Sequence, residues 1–305
     1  MPSQVYFIRT VDGEADESVA EKAAVLYEKA AFAKQLEKGQ LVGIKQHFGE
    51  KGGDGWLRPP IAKRFVELVK KTGAKPFLTD TSTLYKGHRG TAVDYLNLCR
   101  DHGFTHETVG CPVIIADGLV GASQVFVRID GKHYRDVPIA ADAYHAFAFL
   151  VLTHVTGHLV GGLGASIKNV AMGLSSRAGK LSQHHGDIPI VDPKKCTACG
   201  RCEHLCPADA IAVGETAVIS REKCIGCGEC LAVCPFGAVG FHDGMKLTTL
   251  PRTQTRCPFI SRVTERQGTT AISCFCADSA LGEAASGAAP EPPVTVMLFA
   301  STRFN

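Results

Sequence analysis

Eight of the chain's 13 cysteines fall in two short runs. The first is Cys196-x2-Cys199-x2-Cys202-x3-Cys206-Pro207, and the second is Cys224-x2-Cys227-x2-Cys230-x3-Cys234-Pro235. Thiolates are soft ligands that suit iron, and two-residue gaps let one tight turn wrap three sulfurs around one face of a cubic cluster. A fourth ligand must then come from elsewhere. Structural zinc competes, because Cys-x2-Cys pairs also bind zinc. A tetrahedral zinc site needs only four ligands, however, and does not account for the third and fourth cysteines of each run with their prolines. A disulfide framework belongs to small secreted chains, not to a chain of 305 residues with its cysteines bunched in this way.

This spacing is the one used by bacterial ferredoxins, and it occurs twice. In two-cluster ferredoxins the fourth cysteine of each run ligates the other cluster. One [4Fe-4S] cluster is therefore expected on Cys196, Cys199, Cys202 and Cys234, and the other on Cys224, Cys227, Cys230 and Cys206. Such crossing ties the two halves into one unit that is also an internal repeat. Residues 187–243 hold eight acidic and five basic residues, a formal charge of −3, and thiolate-bound clusters add more negative charge. A positively charged redox partner protein fits that balance. Electron transfer is expected rather than a purely structural role, because a two-cluster relay is poorly justified as a mere staple.

The elements around this module follow a different rhythm. Over the first 180 residues, short apolar runs alternate with amphipathic stretches, the pattern of a mostly parallel sheet flanked by helices. Strands are expected at Val5–Arg9, Leu41–His47, Lys75–Asp80, Pro112–Ala116 and Ala146–Thr153. Ala20, Ala23, Ala24, Tyr27 and Ala31 predict a helix over 18–36, with Ser18 as a possible cap. Pro59 and Pro60 begin a second helix that ends before Gly73, and a third covers 91–101. Residues 125–138 alternate around Asp130–Gly131, a hairpin signal, and a glycine-rich loop at 157–164 feeds a helix over 165–174. The expected division is an α/β domain over 1–186, a small α+β ferredoxin-like two-cluster module over 187–243, and an irregular or truncated segment over 244–305.

Three places in the α/β part could carry chemistry. Lys45, His47 and Glu50 sit at the carboxyl end of one strand, and Asp80-Thr81-Ser82-Thr83 at the end of the next, where open α/β sheets place their ligand crevice. The third is His154 and His158, with the glycine loop and Lys168-Asn169 at a helix start, which could receive an anion. The candidate catalytic residues are Lys45, His47, Asp80, His158 and Lys168. Each place has a plainer reading: Asp80, Thr81 and Ser82 as a cap or turn, and the glycines as close-packing or turn residues. His47, Glu50, His154, His158, His184 and His185 could also build a further metal site.

A net charge of +3 from 33 basic and 30 acidic residues argues against nucleic-acid binding. No stretch approaches the roughly 18 apolar residues of a spanning helix, and no signal peptide opens the chain, so the protein is expected in the cytoplasm without a membrane partner. No Gly-x-Gly-x-x-Gly, phosphate-binding loop or Gly-x-Ser-x-Gly is present, which disfavours nicotinamide, P-loop nucleotide and serine-hydrolase chemistry.

Four segments carry a family resemblance: Val42-Gly-Ile-Lys-Gln-His-Phe-Gly-Glu-Lys-Gly, Lys75-Pro-Phe-Leu-Thr-Asp-Thr-Ser-Thr, Gly110-Cys-Pro-Val-Ile-Ile-Ala-Asp-Gly, and His154-Val-Thr-Gly-His through Lys168-Asn-Val-Ala-Met-Gly-Leu-Ser-Ser-Arg-Ala-Gly-Lys. They resemble the iron–sulfur centre proteins of the family called domain of unknown function 362, in order over about residues 4–243. The resemblance implies an embedded two-cluster ferredoxin, redox work and an anaerobic setting, without a defined substrate. Residues 245–305 are expected to depart from the family pattern, through truncation or frameshift, and Cys257, Cys274 and Cys276 there receive no role. The expected function is electron transfer between a redox partner and a site on the α/β domain, with a small-molecule substrate of unknown identity. The rivals are a non-catalytic electron carrier or cluster-assembly accessory, and a metal-dependent lyase or ligase using the histidines.

Overall fold

The chain opens with strand β1 (Val5–Arg9), helix α1 (Asp16–Lys29), strand β2 (Leu41–Lys45), helix α2 (Pro59–Lys71) and strand β3 (Lys75–Asp80). Helices α3 (Ala92–Asp101) and α4 (His106–Val109), strands β4 (Val113–Ile115), β5 (Gln124–Arg128) and β6 (Asp136–Ala140), helix α5 (Ala141–His145) and strand β7 (Ala148–Val151) follow. The computed structural model describes residues 5–11, 13–84, 87–129, 135–158, 162–183, 188–224, 228–240 and 295–299. Strands β4, β3, β2 and β7 pair in that order, all parallel.

Both faces of this sheet are covered, and its strands are apolar on both sides for that reason. Along β3, Leu78 packs with α1, α2 and α3 while Phe77 packs with the β5–β6 layer and the residues that follow β7. Leu150 and Phe149 divide β7 in the same way. Gly43 lets the sheet close there, since a Cβ on it would lie 2.3 Å from the Phe149 ring.

Several expectations hold locally. Pro59 and Pro60 open α2, whose Ile61, Phe65, Val66, Leu68 and Val69 are buried, and Gly73 just beyond it takes φ +82°. Thr91 caps α3 by accepting the Asp94 N–H. Strands β5 and β6 pair antiparallel, with Asp130–Gly131 outside the described residues. The first helix is a correction. It runs from Asp16 to Lys29 with Ala15 at its cap, and the Ser18 hydroxyl bonds Glu14 instead. Ala31 adopts φ +54°, which ends the ladder and turns Phe32 inward against Tyr27, with ring centroids 5.6 Å apart.

Beyond β7 come strands β8 (Thr156–His158) and β9 (Gly162–Gly164) and helices α6 (Ser166–Gly173) and α7 (Arg177–Gln183). The cysteine region contains β10 (Ile190–Val191), α8 (Arg201–His204), β11 (Ile211–Val213), β12 (Ala217–Ile219), α9 (Glu229–Val233) and β13 (Val239–Gly240). Strand β14 (Thr295–Phe299), inside the segment expected to be irregular, pairs antiparallel with β1. Strand β1 thus stands outside the parallel sheet. Among the described residues no helix is long and apolar enough to cross a membrane.

Candidate functional site

Because the four strands run parallel, Lys45, Asp80, Asp117 and Thr153 all fall at or just past one edge of the sheet. Lys45 is fully buried; its Nζ donates to Asn169 Oδ1 at 2.6 Å and pairs with Asp80 Oδ1 at 3.0 Å. Gly173 of α6 makes room for it, since a Cβ there would sit 2.3 Å from Lys45 Nζ. Asp80 Oδ2 accepts the Tyr95 hydroxyl and lies 3.9 Å from Arg89, which pairs with Glu50. Burial alone would raise the Asp80 carboxyl, yet the charges of Lys45 and Arg89 and the Tyr95 hydrogen bond hold it below the usual carboxylate range. Burial pushes the Lys45 ammonium below the ordinary lysine value, and Asp80 opposes that. His47, pushed down to about 4 first by burial and then by Arg89, is neutral at pH 7. Its Nδ1 accepts the Gly49 N–H at 3.0 Å, which leaves the ring proton on Nε2.

A second buried pair lies alongside. Asp117 accepts the Ser82 N–H at 2.9 Å and the Ser82 hydroxyl at 3.2 Å, and Lys180 Nζ lies 3.7 Å from it. Lys180 donates to Thr81 Oγ1 and to the Ser175 carbonyl, both at 2.6 Å, and burial pushes it down to about 8. The Asp80–Ser82 segment therefore organises two ion pairs instead of capping a helix. Gln46, between Lys45 and His47, is 1% exposed, and neither atom of its amide has a hydrogen-bond partner. A buried amide left this way costs about 1–3 kcal/mol and calls for a bound group or water.

Of the five expected residues, Lys45, His47 and Asp80 come together. Lys168 reaches solvent, though partial burial and then the Arg89 charge hold its pKa below the ordinary lysine value. The His158 side chain, His184 and His185 lie outside the described residues. Among the described residues no three His, Cys, Asp or Glu side chains converge on a single metal ion. Arg89, Tyr95, Asp117 as an ion-pair partner, and Lys180 were not singled out from sequence. Asp117 had a signal, since it follows a parallel strand just as Asp80 does.

The cysteine region is a repeat with a period of 28 residues, Cys196 to Cys224 and Gly200 to Gly228. Left-handed backbone recurs at that period: Gly200 at φ +74° and Gly228 at +73°, Asp209 at +47° and Gly237 at +57°. Pairing exchanges the halves, β10 with β13 and β11 with β12, both antiparallel. A cavity of about 340 Å³, part of it open to solvent, is lined by Cys196, Cys199, Cys202 and Cys234. A second of about 330 Å³ is lined by Cys206, Cys224 and Cys230; Cys227 lies outside the described residues. The sulfurs receive backbone N–H groups: Ala210 to Cys206 at 3.3 Å, Ala238 to Cys234 at 3.2 Å and Ala217 to Cys196 at 3.4 Å.

These features define an α/β protein with a mostly parallel central sheet, flanking helices and a buried ionic centre at the strands' carboxyl ends. The chain belongs to the DUF362 family, the domain of unknown function 362, whose model matches residues 42–301. The match continues past residue 243 to residue 301. No curated protein matches the chain. Among solved structures, the lactate racemase apoprotein from Thermoanaerobacterium thermosaccharolyticum is similar at 10% identity and a TM-score of 0.41, covering 86% of this chain and 49% of that one. A Thermotoga maritima protein is similar at 10% identity and a TM-score of 0.45, covering 90% and 54%. The chain thus spans about half the length of these neighbours.

Proposed function

We propose that this protein binds two [4Fe-4S] clusters and passes electrons between a redox partner protein and the ionic centre of its α/β domain. The observation that carries the reading is the pair of cysteine-lined cavities. Each combines cysteines of one run with the fourth cysteine of the other: Cys234 joins Cys196, Cys199 and Cys202, and Cys206 joins Cys224 and Cys230. Cys227 completes the second set on spacing. Four cysteines lining one cavity, with the fourth drawn from the other run, suit the crossed ligand pattern of a polynuclear cluster. When bound, such clusters supply one-electron transfer. The N–H groups of Ala210, Ala217 and Ala238 aim at thiolate sulfur and would stabilise its negative charge.

At the other end, the orphaned buried amide of Gln46, which follows Lys45 and precedes neutral His47 in the chain, supports a bound small molecule. The second reading is a non-catalytic electron carrier in the cytoplasm. What favours it is that Lys45 and Asp117 are shut off from solvent, with their charges matched inside the protein. Anaerobic purification with iron and sulfide analysis, and electron paramagnetic resonance after dithionite reduction, test the cluster reading. Roughly eight irons per chain and two coupled reduced signals are expected, and zinc in their place overturns it. A thermal-shift screen of small carboxylates and phosphates separates the two readings. A ligand that stabilises the wild type but not Gln46→Leu favours the enzyme, and no such ligand favours the carrier.

A further inference from the structure

The two halves of the cysteine region match in backbone, yet their surroundings do not. Gly200 and Gly228 occupy equivalent positions, share a left-handed φ, precede equivalent helices and each line one cavity. A Cβ on Gly200 would meet nothing within 4 Å. A Cβ on Gly228 would lie 2.6 Å from Arg177 Cδ and 3.1 Å from Leu181 Cδ1, both on α7 of the α/β domain. Gly228 is therefore the wall between the second cavity and Arg177. The comparable cysteines match in exposure, Cys196 with Cys224, Cys202 with Cys230 and Cys206 with Cys234, so the difference lies in what packs behind the glycine.

Arg177 is 2% exposed. Its Nε donates to the Val120 carbonyl at 3.1 Å and its Nη2 to the Gly90 carbonyl at 2.6 Å, so the guanidinium is anchored to two loops of the α/β domain. The same helix carries Lys180, whose ammonium bonds Thr81 and faces Asp117. One short helix thus touches the cysteine loop through Arg177 and the ionic centre through Lys180.

From this asymmetry we infer that Arg177 is a positioning residue that makes the two cluster sites inequivalent. The site of Cys206, Cys224 and Cys230 is the inner one: its Gly228 wall packs on the Arg177 stem, whose guanidinium lies beyond on the Val120 and Gly90 carbonyls and supplies buried positive charge on that side. The site of Cys196, Cys199, Cys202 and Cys234 is the outer one. The inference rests on the two-cluster reading. Its physics is that an anionic thiolate site loses the help of water when protein covers it, which disfavours adding an electron. A fixed guanidinium offsets that loss, because net charge near the sulfurs is one of the terms that set the potential. Arginine suits the place, since it stays charged when buried and hydrogen-bonds carbonyls with a rigid fork.

The test is a redox titration of the loaded full-length protein followed by electron paramagnetic resonance, comparing wild type, Arg177→Gln, Arg177→Lys, Gly228→Ala and Gly200→Ala. Arg177→Gln is expected to move one centre to a more negative potential and leave the other in place, with Arg177→Lys restoring most of the shift. Gly228→Ala, which drives a methyl into the Arg177 stem, is expected to alter the signal of that same centre. Gly200→Ala carries the same backbone strain without the clash and is expected to leave that centre unchanged. Equal shifts of both centres in Arg177→Gln, or none, overturn the inference. If Arg177→Gln fails to fold, the two glycine variants decide: equal effects from both overturn it. A wild-type iron content far below two clusters sinks the cluster reading instead, so the two failures are distinct.

Discussion

The α/β region and the cysteine region hold themselves together by different means. Around the sheet, Ile44, Leu78, Leu150, Phe65, Tyr27 and Tyr95 belong to one continuous buried core, and Phe77, Phe149, Val137 and Val170 to another. That much apolar burial outweighs the cost of two ion pairs placed in the interior. Among the described residues, the core cluster of the cysteine region is Cys202, Ile211, Ala217, Cys230 and Val239, and two of those five are proposed ligands. Its strands are two or three residues long. A region of this size needs a metal or another staple to fold. On the cluster reading proposed above, the α/β region would bring its chemistry prefolded, whereas the cysteine region would acquire structure and chemistry together when metal binds.

The largest expected effect tests that contrast directly. Stripping iron from the loaded protein with a chelator should abolish hydrogen-exchange protection across residues 188–240 while β2, β3 and β7 keep theirs. Protection of 188–240 that survives without iron would erase the difference between the regions.

Next in size is the Lys45–Asp80 pair. Either Lys45→Met or Asp80→Asn leaves a buried charge with its partner removed and should cost about 3–5 kcal/mol in urea unfolding. The double variant should lose less than the sum of the two, because no uncompensated charge remains. Additive losses would mean that the pair does not act as a unit.

A smaller effect is a pH dependence. The folded pKa of Lys180, about 8, lies below its unfolded value near 10.5, so the folded state holds fewer protons above pH 8. Burying Lys180 therefore costs stability below pH 8, and the cost is relieved as pH rises, at up to about 1.4 kcal/mol per unit. Between pH 8 and 9 the wild type should gain stability relative to Lys180→Met. Above that window the buried thiols act oppositely, with Cys111 pushed up to about 11 and Cys99 raised further by burial. A wild-type slope equal to that of Lys180→Met would show that Lys180 is not desolvated as the fold indicates.

The smallest effect belongs to the rim of the ionic centre. Glu50 is 42% exposed where it meets Arg89, so solvent screening should hold the cost of Glu50→Gln to about 1 kcal/mol or less. A loss as large as that of Asp80→Asn would place Glu50 in the interior network.

Lys45, His47 and Asp80 were legible because parallel strands expose their carboxyl ends at one edge, a rule that needs only the strand pattern. Arg89, Tyr95 and Lys180 were not, since each reaches the centre from a loop or helix whose place depends on packing. Lys180 meets Thr81 from 99 residues away. The helix expected over 18–36 failed for a related reason, because burial of Phe32 decided where the backbone turned.

By itself, the sequence determined the two repeated cysteine runs and the parallel-sheet region, because residue spacing and hydrophobic period are local properties of the chain. Which half of the cysteine repeat faces the α/β domain was decided only by the tertiary structure. Gly200 and Gly228 share residue type, spacing and φ, and only the arrival of α7 gives Gly228 the Arg177 neighbour that Gly200 lacks.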